Sequence, residues 1–322
     1  VVLPPLAVDG PLITIRRFGV APLTFGDLVA NGAIPSDLVD ELAGLIRGRR
    51  NILISGGTGT GKTTLARAAL PDYRYVDLED PVAAARFRDD PRFALDQNDR
   101  QGLIIDEAHY NSFGKLLRFY EKGVLLGVTA TPLSSNINIR MKDTYDDLII
   151  GESIPSLVEM GYLAKATTWH YQVGLTSLKI GMNGDYTVSS SERLYNNFAM
   201  QDKLLSAYRD KCLGKKTLIF NNGIATSQYV YASFQDAGYD IRHLDHKHSA
   251  KERREILDWF REKPDGILTS VSILTTGFDE PSVESIILNR ATRSLTLYLQ
   301  MIGRGSRVLR KKKDFTIIDL GN

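Results

Sequence analysis

Cysteine is almost absent from this chain: Cys212 is the single one among 322 residues. One thiol excludes a disulfide framework and a multi-thiolate metal centre, and it fits a reducing, cytoplasmic setting. Cys212 itself reads as a small buried apolar residue. Long hydrophobic runs are absent as well. None approaches the ~20 apolar residues that cross a bilayer, so no membrane partner is expected. Neither sign of charge dominates: 40 basic against 38 acidic side chains leave a formal net charge of +2, so any basic binding surface has to be local. The opening VVLPPLAVDG lacks the basic segment of a secretory signal and places prolines where such a signal is helical. An initiator methionine is missing too, which points to a fragment or a processed form. What remains is ample for folding, since 43% hydrophobic residues over this length can fill two cores of ordinary size.

The chain is organised around residues 51–70, NILISGGTGTGKTTLARAAL. It reads as a short strand (Ile52, Leu53, Ile54), a glycine-rich loop and a helix starting near Lys62. Gly56, Gly61, Lys62 and Thr63 satisfy G-x-x-x-x-G-K-[ST], the phosphate-binding loop, with Gly57, Thr58, Gly59, Thr60 and Thr64 completing the nucleotide contacts. Glycines are required because successive backbone N–H groups must turn inward around a phosphate, where side chains would obstruct them. Lys62 is placed to neutralise the β- and γ-phosphates and Thr63 to hold Mg²⁺, with the helix N-terminus adding a favourable dipole.

Downstream, a strand is expected over Tyr73–Leu78, followed by Asp77, Glu79 and Asp80, which read as a strand-end turn and helix cap. GLIIDEAHY then gives a buried strand, Leu103–Ile105, with Asp106 and Glu107 at its C-terminal end, where open α/β sheets bind ligands. Asp106 can hold Mg²⁺, Glu107 can orient and deprotonate an attacking water, and His109 can couple that site to a neighbouring domain. A helix over 113–122 precedes the strand VLLGVTATP, whose Thr129 and Thr131 place hydroxyls at another strand end, suited to linking nucleotide state to domain motion. A helix around Ile154–Met160 follows, and 179–197 reads as a polar loop.

The second half alternates strands and helices and so implies a parallel sheet covered by helices, without a phosphate loop of its own. Helices are expected over LSAYRDKCLG, IATSQYVYASFQDAGY and Ser249–Lys263, and strands over KTLIFNN, IRHLD and GILTSV. His243, His246 and His248 lie close in sequence, but without carboxylate or cysteine support at a recognised spacing they read as a solvated loop. Near the end, LYLQMIGRGSR sets Gln300, Gly303, Arg304 and Arg307 as Q-x-x-G-R-x-x-R. If helical, Arg304 and Arg307 share one face, and two guanidiniums aimed at a γ-phosphate would stabilise its transition-state charge.

GGTGTGKT, DEAH, TATP, LIFNN, TTGFDEP and QMIGRGSR, in that order, resemble superfamily 2 helicases of the DEAD/DEAH and restriction-enzyme type, over about 102–322. The resemblance implies an α/β fold of two RecA-like P-loop NTPase domains, each a mainly parallel sheet flanked by helices. It implies ATP and Mg²⁺ as cofactors, with Lys62, Thr63, Asp106 and Glu107 on one side of a cleft and Gly277, Asp279, Gln300, Arg304 and Arg307 on the other. Thr129, Thr131, Asn221 and Thr276 would relay that state or touch a nucleic-acid strand, single or duplex, DNA favoured. A monomer in the cytoplasm is the expected state. The expected division is a lead-in over 1–48, a first domain over 49–175 and a second over 176–322.

Two other likenesses overlap this one. LPPLAVDGPLITIRRF, LTFGDLVANGAI and RRNILISGGTGTGKTTL resemble the ATPases of type II and type IV secretion systems, and YVDLEDP over 75–81 resembles an AAA-type ATPase. The interval between the phosphate loop and DEAH is about half as long as the helicase resemblance implies. The chain therefore reads as a mosaic of P-loop families, recombined or designed. The alternatives to a helicase are a hexameric secretion-type motor acting on protein, or a scaffold that binds nucleotide without turnover.

Overall fold

The computed structural model describes residues 36–55, 62–78, 87, 95, 102–108, 120, 123–129, 132, 140–151, 153–182, 184–271, 274, 278 and 280–321. The chain divides into two compact units, Val1–Leu157 and Val158–Asn322.

In the first unit, helices α1 (Ser36–Arg47), α2 (Lys62–Ala69) and α3 (Ile154–Glu159, which runs across the division) accompany five strands. These are β1 (Ile52–Ser55), β2 (Arg74–Asp77), β3 (Gly102–Asp106), β4 (Val124–Thr129) and β5 (Asp147–Ile150). They form one all-parallel sheet in the order β2-β3-β4-β1-β5. A parallel sheet is covered on both faces, so its strands read as unbroken apolar runs whose successive side chains alternate between two cores. Ile52, Ile54, Ile104, Leu126 and Val128 join Leu42 of α1 and Leu65 and Ala66 of α2 on one face. Leu53, Leu103, Ile105 and Leu125 join Val76, Met141 and Tyr145 on the other. Each such side chain contributes about 1.5–3 kcal/mol relative to exposure. The expected strands over 52–54, 73–78 and 103–105 are present, and α2 begins at Lys62 as read from the sequence. The helix expected over 113–122 lies outside the described residues.

The second unit holds β6 (Lys165–His170), β7 (Thr217–Asn221), β8 (Ile241–Leu244), β9 (Ile267–Val271), β10 (Ser285–Asn289) and β11 (Asp314–Asp319). All pair in parallel, in the order β6-β11-β10-β7-β9-β8. Helices α4 (Val188–Tyr195), α5 (Phe198–Lys211) and α6 (Ile224–Asp236) cover one face through Tyr195, Leu204, Tyr208, Val230 and Phe234. Helices α7 (Ala250–Glu262) and α8 (Leu295–Ile302) cover the other through Phe260 and Met301. The Ser249 hydroxyl accepts the Glu252 N–H while the Glu252 carboxylate accepts the Ser249 N–H at 2.8 Å, a capping box that fixes where α7 starts. Cys212 is fully buried, as expected, and burial lifts its thiol to about 11.

Two expectations are corrected. The division falls at 157/158 rather than 175/176, because KATTWH over 165–170 is strand β6 and pairs with β11 of the second sheet. All six of its residues are exposed at a sheet edge, so no apolar run marks it. Residues 179–197 are not all loop, since α4 lies within them. Its three consecutive serines obscure the helical period, while Thr187 caps its start and Tyr195 anchors it in the core.

Lys312 is 6% exposed and its ammonium donates to the carbonyls of Pro281, Gly305 and Arg307 at 3.0, 2.7 and 2.8 Å. Burial pulls it down to about 8. Replacing it with methionine leaves those carbonyls without their donor and should cost about 2–3 kcal/mol. Urea unfolding followed by tryptophan fluorescence reads this unit alone, because Trp169 and Trp259 are the only tryptophans and both belong to it. A Lys312→Met midpoint equal to wild type would show that the lysine holds nothing in place.

Candidate functional site

In the first unit, three adjacent strands end in polar residues at the C-terminal edge: Asp106 on β3, Thr129 on β4 and Ser55 on β1. Thr129 pairs with Ser55, and Asp106 with Val128, so the three ends are level. The edge is also a switch point: the chain leaves β1 for the far edge strand β2, then later reaches β5 on the other side of β1. Ligands of open α/β sheets bind at such points. Thr63, in the first turn of α2, donates its hydroxyl to Asp106 Oδ2 at 3.0 Å. Tyr75 of β2 donates to the same oxygen at 2.5 Å, and the Glu107 N–H to Oδ1 at 3.0 Å. The guanidinium of Arg67 lies 4.9 Å from the Tyr75 ring centroid, a cation–π contact that braces the ring.

Asp106 is only 5% exposed, so these donors hold its carboxylate in a fixed orientation. Glu107 has a φ of 54°, a left-handed conformation that costs a non-glycine residue about 1–2 kcal/mol and recurs at functional sites. A hydroxyl and a carboxylate 3.0 Å apart are hard oxygen donors of the kind Mg²⁺ takes, so Thr63 and Asp106 suit that ion. Lys62 and Thr64 share the first turn of α2 with Thr63. Gly56, Gly57, Thr58, Gly59, Thr60, Gly61, His109 and Thr131 lie outside the described residues. Tyr75 escaped the sequence reading because only the pairing of β2 with β3 brings it to Asp106.

In the second unit, Asn221 ends β7 and faces Asn289 at the end of β10, again where the strand order reverses. Both are fully buried. Asn221 Nδ2 donates to Thr269 Oγ1 at 2.8 Å and to the Ser270 carbonyl at 3.3 Å, and Asn221 Oδ1 accepts from Asn289 Nδ2 at 2.8 Å. The network continues from Thr269 to Ser227 and from Ser227 to His243, both at 2.9 Å. Asn289 was missed, although LIFN and IILN share one pattern, an apolar strand closing on asparagine.

The terminal arginine motif is not helical throughout. Helix α8 ends at Ile302 with Gly303 as its cap, so Arg304 lies in a turn and Arg307 in a bridge to Leu163. The shared helical face expected for the two arginines is therefore corrected. Gly305 follows in the same turn and packs closely, because a Cβ there would stand 2.3 Å from the Phe315 ring. Arg304 is 7% exposed and donates to the Phe278 carbonyl at 2.7 Å, which ties the motif to the preceding loop. Gln300 is buried on α8, while Thr276, Gly277 and Asp279 lie outside the described residues.

Two parallel sheets flanked by helices, with a buried acid at one strand end facing the start of a helix, define a RecA-like α/β architecture. Residues 197–308 match the helicase conserved C-terminal domain, and residues 2–92 match the type II/IV secretion system protein family. A 51.5 kDa protein of a Lactococcus phage is 30% identical over 224 residues, covering 68% of this chain and 49% of the relative. A Saccharomyces cerevisiae protein named as an ATP-dependent helicase, IRC3, is 27% identical over 239 residues, covering 70% of this chain and 34% of the relative. The chain thus spans half or less of the length of these relatives. Among solved structures, a fragment of an HsdR subunit of a type I restriction enzyme from Vibrio vulnificus aligns with a TM-score of 0.66 at 20% identity. It covers 87% of this chain and 61% of that one, and at this identity the likeness concerns the fold.

Asn221→Ala should destabilise the second unit by about 2–3 kcal/mol, because Asn289 Nδ2 and Thr269 Oγ1 each lose a buried partner. Fluorescence-monitored urea titration measures this, and a loss below roughly 0.5 kcal/mol, the range of an ordinary surface change, would contradict it.

Proposed function

We propose that the chain is an ATP-hydrolysing nucleic-acid translocase or helicase of the superfamily 2 type. The observation that carries this reading is the 3.0 Å contact between Thr63 and Asp106 at the edge of the first sheet, in a chain that also matches the helicase C-terminal domain. In it the loop 56–61 would cradle the phosphates and Lys62 would neutralise them. Thr63 and Asp106 hold Mg²⁺, which when bound offsets phosphate charge. Glu107 orients and deprotonates the attacking water. The roles of Arg304 and Arg307 as charge-stabilising groups, and of Gln300, Gly277 and Asp279 as nucleotide contacts, rest on the sequence motifs. Thr129 and Asn221, both fully buried, relay nucleotide state, while His109, Thr131 and Thr276 relay it or touch a bound strand, DNA favoured over RNA, through sequence-independent backbone contacts. A monomer working in the cytoplasm is part of the same proposal.

The secretion-motor reading is less well supported: its family match ends at residue 92, whereas the helicase-named relative aligns with 70% of the chain. The two matches, on separate stretches, support reading the chain as a mosaic of P-loop families.

Steady-state ATP turnover with and without single-stranded DNA or RNA tests the proposal. Turnover should rise when a strand is added, and Lys62→Ala should lower it about 100-fold or more. Turnover indifferent to either strand, from a hexamer on size-exclusion chromatography, would replace the proposal with the secretion-type motor. Tight ATP binding without turnover would leave only a nucleotide-binding scaffold.

A further inference from the structure

The three histidines at the β8–α7 junction do not form a solvated loop. Only His246 is exposed. His243 is 10% and His248 24% exposed, and between them stands Asp245, at 3%. His243 Nε2 lies 3.1 Å from Asp245 Oδ2, and His248 Nδ1 lies 3.1 Å from Asp245 Oδ1. One ligand atom from each of the three residues falls within a triangle no wider than 4.8 Å. The carboxylate support that sequence spacing did not reveal is therefore present, buried at the centre of the group.

We propose that His243, Asp245 and His248 bind a divalent transition-metal ion of the zinc type, with water completing the coordination on the side of His248. Imidazole nitrogens and a carboxylate are zinc ligands at about 2.0–2.2 Å, which sets tetrahedral ligands about 3.3–3.6 Å apart, inside the 4.8 Å that bounds this group. Drawing the triangle onto one ion asks the His248 ring, the most exposed of the three, to swing inward. His243 is already oriented for the task, because its other nitrogen, Nδ1, meets the Ser227 hydroxyl at 2.9 Å. A partner on the distal nitrogen is what fixes the tautomer of a metal-bound histidine.

His248 Nδ1 faces both an acceptor, Asp245 Oδ1, and a donor, the Asp245 N–H at 3.2 Å. A ring nitrogen carries one lone pair or one proton and serves only one of these at a time. An ion taking that lone pair displaces the Asp245 N–H and leaves Oδ1 its bond from the Lys247 N–H at 2.8 Å.

Among the described residues this is the single group of three or more such side chains, and it lies in the second unit, apart from Thr63 and Asp106.

Chelator-stripped, tag-free full chain should be titrated with Co²⁺ under visible spectroscopy and then with Zn²⁺. One Co²⁺ per chain should give d–d absorption that stoichiometric Zn²⁺ abolishes, and Zn²⁺ should raise the melting temperature. His243→Ala and His248→Gln should lose the band, Ser227→Ala should weaken binding about 10–100-fold, and His246→Ala should leave it unchanged. Asp106→Asn should keep the band, which separates this site from the Mg²⁺ candidate. If His243→Ala fails to fold by circular dichroism, the more exposed His248→Gln decides. No band with Co²⁺ in excess, or a band that survives His248→Gln in folded protein, would overturn the proposal and leave the cluster as a hydrogen-bonded clamp on the start of α7.

Discussion

The contact between Thr63 and Asp106 is the constraint on which the first unit depends. It joins the first turn of α2, which follows β1, to the end of β3, and β3 is not a neighbour of β1. Strand β4 lies between them. Only this strand order, with the apolar runs of β1, β3 and β4 paired in level register, brings the hydroxyl to the carboxylate. Tyr75 reaches the same carboxylate oxygen because β2 pairs with β3. The apolar faces above and below supply the stability that lets a buried acid and a left-handed Glu107 persist at the rim.

The second unit solves a similar problem with neutral groups. Asn221 and Asn289 close two adjacent strands and are joined by the Asn289 Nδ2 bond to Asn221 Oδ1, while Thr269 and Ser227 carry the hydrogen bonding outward to His243. Lys312 and Arg304 bind backbone carbonyls and hold the turn around Gly305, where Phe315 leaves no space for a side chain. The bonds among Asn221, Asn289, Thr269 and Ser227 offset the cost of burying these side chains and favour one arrangement of the strand ends.

What the sequence revealed was whatever is encoded locally. Unbroken apolar runs gave the central strands, and the expected helices starting near Lys62 and at Ser249 gave the starts of α2 and α7. Strand β6 stayed hidden because an exposed edge strand needs no hydrophobic pattern, and α4 because packing of Tyr195 overrides the poor helical preference of its serines. The side chains that complete the sites, Tyr75 beside Asp106 and Asn289 beside Asn221, are distant in sequence and meet only through strand order. Asp245 illustrates a different limit. It sits two and three residues from its histidines, yet their convergence depends on how β8 turns into α7 rather than on spacing.

The chain matches the secretion ATPases through its beginning and helicases through its C-terminal half, and the nucleotide site proposed for it draws on β1 and β3 together. The most direct measurement is equilibrium binding of a fluorescent ATP analogue to wild type and Asp106→Asn, each with and without Mg²⁺. If Thr63 and Asp106 together hold the ion, Mg²⁺ tightens binding to wild type and leaves Asp106→Asn unaffected. An equal gain from Mg²⁺ in both proteins would contradict the assignment of Asp106, and with it the catalytic role given to this edge of the sheet.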